Sequence, residues 1–131
     1  MRSGLACFFV AFATVLSCWG CGKSSVAIPM TYPVKGKVTY KGHPLIRGTI
    51  VFEPDGAGKE GRAEIQPDGT YVLSSYKAND GAVPGTHRVS IEGATGKAKS
   101  TRIPPRYSSP NGSKLELEVT ADKTDYPFDL Q

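Results

Sequence analysis

The residues of this 131-residue chain with the most obvious capacity for chemistry are two cysteines three positions apart, Cys18 and Cys21, in the stretch "ATVLSCWGCGKSSVAIP". A C-x-x-C pair can work as a redox centre, but that requires a βαβ context and a helix N-terminus to stabilise the thiolate. Here the pair closes an apolar run, Leu5 to Leu16. A zinc site would need further Cys or His ligands, and the third cysteine, Cys7, lies inside the same run. The two histidines are separate: His43 falls in the turn "GHPL", and His87 is in phase with Val89 and Ile91 on a predicted strand, where it is expected to pack at an edge of the fold. Neither has a carboxylate at local spacing to orient it, and the hydroxyl-rich stretch "YSSPNGS" adds no base, so a Ser-His-Asp arrangement is unsupported. Asp55, Asp68 and Asp80 each precede a glycine but lack the D-x-D-x-D-G spacing of a calcium loop, which makes them turn residues. Asn111-Gly112-Ser113 has the spacing of a glycosylation acceptor and reads better as a turn. No metal, no cofactor and no catalytic residue is expected.

The cysteines make sense as part of a leader. Arg2 is the only charge before Lys23, and it precedes an apolar run of small and aliphatic residues, which is the order of a secretory signal. The run is roughly a dozen residues long, and a spanning helix needs about 20. The small residues leading into cysteine at "VLSC" and "GC" resemble the lipobox of bacterial lipoproteins. That resemblance implies cleavage before a cysteine whose thiol carries diacylglycerol and whose new amine is acylated. Val15-Leu16-Ser17-Cys18 fits the pattern better by residue type, whereas Cys21 has the favourable Gly20 but also Trp19, so both remain lipidation candidates. One acyl chain holds a protein marginally, and two or three hold it stably. The expected organisation is a signal and lipidation region over 1–21, a flexible tether over 22–32 and one folded domain over 33–131. It implies a protein anchored by lipid to a membrane of the bacterial cell envelope, its domain facing the periplasm or the exterior. With every cysteine in or beside the leader, no disulfide is expected in the domain.

Removing the leader takes Arg2 from the 16 basic residues and leaves 15 against 12 acidic ones, a formal +3. The charges are interspersed, whereas nucleic-acid binding calls for a basic stripe on a compact face. The 15 glycines and 10 prolines, with no long apolar period of 3.6, argue against a helical bundle and for short strands between turns. Strict alternation begins at Pro33: Val34, Gly36, Val38 and Tyr40 face one way, Lys35, Lys37 and Thr39 the other. The same reading places Ile46, Ile50 and Phe52 inward on a second strand, and Ala63, Ile65, Tyr71 and Leu73 inward on the arms of a hairpin around Pro67-Asp68-Gly69. Val89 and Ile91, then Leu115, Leu117 and Val119, and finally Tyr126, Phe128 and Leu130 complete the inward set. About seven short strands predict an all-β fold, an antiparallel β-sandwich.

The stretches "VKGKVTYKGHPLIRGTIVFEP", "AEIQPDGTYVL" and "DGAVPGTHRVSI", with "IPPRY" and the closing "PFDL", resemble the transthyretin-like, or carboxypeptidase regulatory-like, sandwich of small bacterial lipoproteins. The resemblance covers nearly everything from Val34 to Leu130. It implies the fold more strongly than a function, because such sandwiches host enzymes, carriers and spacers alike. The hydrolase branch of transthyretin-like proteins uses several His and Arg side chains and a closing Tyr-Arg-Gly-Ser. This chain has two His and reads Tyr126-Pro127-Phe128-Asp129-Leu130-Gln131 there, so the motif does not carry over.

The segment Gly96 to Lys114 gathers Lys97, Lys99, Arg102 and Arg106 without an acid, beside Tyr107 and Pro104-Pro105. One reading is a solvated connection pinned to the core by Ile103 and Tyr107. The other is a basic, aromatic-bearing patch that holds an anionic envelope polymer or a lipid headgroup. The function expected is a non-catalytic, lipid-anchored envelope module that binds a polymer or a protein or plays a structural part. The alternatives are a small hydrolase on the same fold and a secreted ligand- or carbohydrate-binding domain.

Overall fold

A computed structural model describes residues 27–94 and 102–131. The chain forms two sheets packed face to face, an all-β sandwich. Its elements are β1 (Lys35–Tyr40), β2 (His43–Pro44), β3 (Thr49–Pro54), β4 (Gly61–Glu64), β5 (Thr70–Val72), β6 (Gly85–Glu92), a 3-10 turn (Pro105–Ser108), the one-turn helix α1 (Pro110–Ser113), β7 (Leu115–Val119) and β8 (Phe128–Leu130). The seven expected strands are present, and the two-residue β2 joins them.

One sheet has the order β4-β3-β6-β7, antiparallel throughout. The other is assembled on β1, which pairs antiparallel with β5 through Lys35–Lys37 and with β2 through Thr39 and Tyr40. On its far side β1 pairs with β8, and this pairing is parallel. Strict antiparallel order therefore fails at one place, because β8 reaches β1 from the end of β7 by crossing between the sheets instead of by a hairpin.

Alternation fills the space between the sheets as expected. Val34, Val38, Ile50, Phe52, Tyr71, Leu73, Val89, Ile91, Val119, Tyr126 and Leu130 are buried. Phe52 is central: its ring lies 6.1 Å from Tyr71, 6.0 Å from Phe128 and 6.1 Å from His87. Tilted and edge-on rings at these separations suit the quadrupoles of aromatic side chains.

Two expectations are corrected. Ile46 is 49% exposed, and its neighbour Leu45 is buried instead. Counting back from Ile50 assumes one continuous strand, but Gly48 at φ 122 interrupts it, and Leu45 is seated by its own N–H bond to the Val38 carbonyl. The second concerns Pro67-Asp68-Gly69. The turn forms, with Gly69 at φ 86, the Gln66 N–H donating to the Thr70 carbonyl and the Gly69 N–H to the Gln66 carbonyl, yet its arms part into different sheets, β4 onto β3 and β5 onto β1. They rejoin only at Arg62 and Ser74. Splaying lets Ala63, Ile65, Tyr71 and Leu73 all turn into the core and closes one side of the sandwich.

Candidate functional site

The strands give the sandwich two poles. The described chain enters at the pole where Tyr32 pairs with Ala82, beside the loop of Gly58 and the segment Thr120 to Asp125. The opposite pole carries the turn Lys41-Gly42, the turn Pro67–Gly69 and the ends of β6 and β8. Of the sequence-predicted site residues, Cys18, Cys21, Lys97 and Lys99 lie outside the described residues. Arg102 is exposed at the far pole, next to Ile103, whose N–H bonds the Ala94 carbonyl at 3.4 Å.

Arg106 and Tyr107 act together as a clamp. The Tyr107 hydroxyl and the Arg106 guanidinium both reach the Gln131 carbonyl, at 3.2 and 2.9 Å, and the guanidinium also donates to the hydroxyl at 2.9 Å. The guanidinium lies 4.8 Å from the centre of the same ring. Tyr107 is 5% exposed, so its ring offers no stacking face, and with Ile103 it pins the segment to the core. Between Arg106 and β7 the chain forms the 3-10 turn and α1. Ser109 caps α1 by accepting from the Gly112 N–H, and Ser113 donates to the Val89 carbonyl. The expected connection is therefore a docked strap, held down by side chains that the basic-patch reading counted as ligand-binding.

The two histidines do not converge. His43 is exposed on β2 at the far pole, and His87 is fully buried near the entry pole. His87 does pack, but not at an edge: β6 lies between β3 and β7, and the ring rests against Phe52. Its Nδ1 bonds the Gly85 carbonyl at 2.9 Å while its buried Nε2 has no partner. Burial pushes its pKa down, and the Gly85 carbonyl and the charge of Asp55 offset this only in part. The imidazole is thus held neutral, its Nε2 turned away from any reacting group in solvent.

Asp80 is a turn residue with a specific task. Its carboxylate accepts the backbone N–H groups of Ser75, Tyr76 and Lys77 at 2.7, 3.0 and 2.8 Å. Burial alone would raise its pKa, but these donors outweigh it and hold the carboxyl below its ordinary value. Asp68 similarly accepts from the Thr70 N–H and hydroxyl.

A groove on the outer face of the β1 sheet was not legible beforehand. Gly36 and Tyr71 are register partners, and both point into the core. Gly36 must lack a side chain, because a Cβ there would stand 2.3 Å from the Tyr126 carbonyl and 3.0 Å from the Tyr71 ring. The Tyr71 hydroxyl crosses this space to donate to that carbonyl at 2.6 Å. With the central pair turned inward, the outward pairs Lys35 with Val72 and Lys37 with Thr70 stand apart. Their separation along the strand is about 7 Å. Asp125 and Pro127 continue the gap on the other flank of β1, giving a groove of about 270 Å³. The alternation of Lys35 and Lys37 was visible in the sequence, but not the arrival of β5 and the Asp125 segment on either side. Compared with family models, curated proteins and solved structures, the chain has no significant match.

Proposed function

We propose that the chain is a non-catalytic module of the bacterial cell envelope, anchored by lipid at Cys18 or Cys21, with its transthyretin-like sandwich facing the periplasm or the exterior and serving a binding or structural role. The observation that carries the reading is polarity. The described chain begins at one pole, where Tyr32 is locked to Ala82 by bonds of 2.8 and 3.1 Å, and the exposed Arg102 lies at the other. A tether at one end then leaves the far pole and both outer faces free to meet a polymer or a protein. The hydrolase alternative draws no support from the histidines, since one is sealed in the core and the other stands at the opposite end of the sandwich.

The test is the intact mass of the protein extracted from its membrane, beside Cys18→Ala and Cys21→Ala variants. Acyl mass on a shortened chain, lost in one variant, is the expected result and identifies the lipidated residue. An unmodified chain recovered from the medium overturns the anchor and makes this a secreted domain.

A further inference from the structure

The groove across β1 has a chemistry of its own. Among the described residues the four ion pairs all involve Arg62 or Arg88, on the outer face of the opposite sheet. Among the same residues Lys35 and Lys37 have no carboxylate within 4.0 Å. Between them the walls are the lysine stems, Pro127 and Val72, which is 49% exposed. Long lysine side chains present apolar stems below and charge above, so the groove combines a greasy floor with an unpaired cationic rim.

We propose that this groove binds a short stretch of an acidic polysaccharide. The C–H face of a uronic acid ring rests on Val72 and Pro127, and its carboxylate is taken by Lys37 and Lys35. Size argues for a polymer: about 270 Å³ falls below the roughly 300–1,000 Å³ of sites for compact ligands. So shallow a groove accommodates one or two units and gains strength from repetition along a chain. Two acids are near. Asp68 is hydrogen-bonded to Thr70 and its charge also acts on Lys37, but it stands outside the groove, whereas Asp125 lines the groove beside Lys35 and opposes an anion there. The carboxylate therefore sits toward Lys37. A bilayer presents a flat array of headgroups that meets the rim but not the floor. The inference deepens the binding side of the preceding reading and is independent of how the chain is anchored.

The experiment titrates the full chain, purified in detergent, with tetragalacturonate by calorimetry at low ionic strength. Maltotetraose serves as the neutral probe and phosphatidylglycerol vesicles as the membrane probe. The expected result is binding of tetragalacturonate but not of maltotetraose. The Lys35→Gln/Lys37→Gln variant should weaken it about tenfold or more with an unchanged melting temperature. Asp125→Asn should tighten it, and Arg102→Gln should leave it unaltered. No binding by the natural chain, undiminished binding by the double lysine variant, or a loss confined to Arg102→Gln overturns the proposal. Lysine-dependent capture of vesicles without tetragalacturonate binding also overturns it and gives the groove to a lipid headgroup.

Discussion

The two sheets of this sandwich solve the same packing problem in different ways. The β4-β3-β6-β7 sheet is a continuous antiparallel ladder in which β3 and β6 pair over six positions, Thr49↔Glu92 to Pro54↔His87. Its outer face holds its arginines in ion pairs: Arg62 bridges Glu60 and Glu92, and Arg88 joins Glu53, Asp55 and Asn111. The β1 sheet is assembled from short pieces, three strands of two or three residues gathered on one of six. Its order depends on contacts through the core, and Lys35 and Lys37 face outward with no ion pair among the described residues. The first sheet is stabilised largely by itself, whereas the second is held by its neighbour and carries the groove between Lys35 and Lys37 on its outer face.

The largest test of this difference is Phe52→Ala. Phe52 belongs to the continuous sheet, but its ring touches Tyr71 and Phe128 of the assembled one. Truncation is expected to cost about 3–5 kcal/mol in urea denaturation, a large part of the stability of a domain this size. The half-buried Leu117 on β7 should cost less when truncated. Equal losses at both positions would mean that the second sheet does not depend on the aromatic cluster.

Gly36→Ala is aimed at the assembled sheet alone. The new methyl group would meet the Tyr126 carbonyl, a backbone atom that a side-chain rotation cannot move. Overpacking of this kind costs about 1–3 kcal/mol. Amide exchange should rise first in β5 and β8, with β3 and β6 still protected. Uniform loss of protection would show that the sheets open together.

Acid probes their junction at His87. Its folded pKa lies below the ordinary 6.5, primarily because of burial, so below that pH the unfolded chain binds more protons than the folded one. The contribution of this residue is fully present above about pH 6.5 and is lost as pH falls from there toward the lowered folded value. Asp80, with its own pKa depressed, adds a loss at lower pH, below the ordinary carboxylate range. His87→Phe keeps the ring stack on Phe52 and removes the proton, and should flatten the upper part of the pH–stability curve. A curve unchanged by this substitution would assign the acid response to other groups.

These features were unequally legible in the sequence. Alternation reports the face of a residue within one strand, and it placed Val34, Val38, Phe52, Tyr71 and Leu130 in the core without knowledge of pairing. It failed at Ile46, where Gly48 breaks the strand and resets the phase. The parting of β4 and β5 and the parallel entry of β8 depend on distant partners, which a local pattern does not carry. The candidate site follows the same rule. Ile103 and Tyr107 were legible as pins because they are apolar residues in a polar segment, but the groove exists only where Val72 and Asp125 come to flank Lys35.

The smallest effects are the most informative about the two outer faces. Arg88→Gln breaks bonds of 2.7 Å to Asp55, 3.3 Å to Glu53 and 2.6 Å to Asn111, and so loosens α1 from the sheet as well as removing two partly exposed ion pairs. The expected cost is about 1 kcal/mol, at the upper end for surface pairs because several partners share one guanidinium. Lys35→Gln/Lys37→Gln removes two charges that no carboxylate holds, and surface changes of that kind stay within about 0.5 kcal/mol. Added salt should narrow the gap by screening the Arg88 pairs and leave the lysine variant where it was. If the lysine variant instead melts well below the natural chain, Lys35 and Lys37 contribute to the fold and the groove loses its claim to be a binding surface. A stable lysine variant beside a weakened Arg88 variant would mean that charge holds one face of the sandwich together and leaves the other available for recognition.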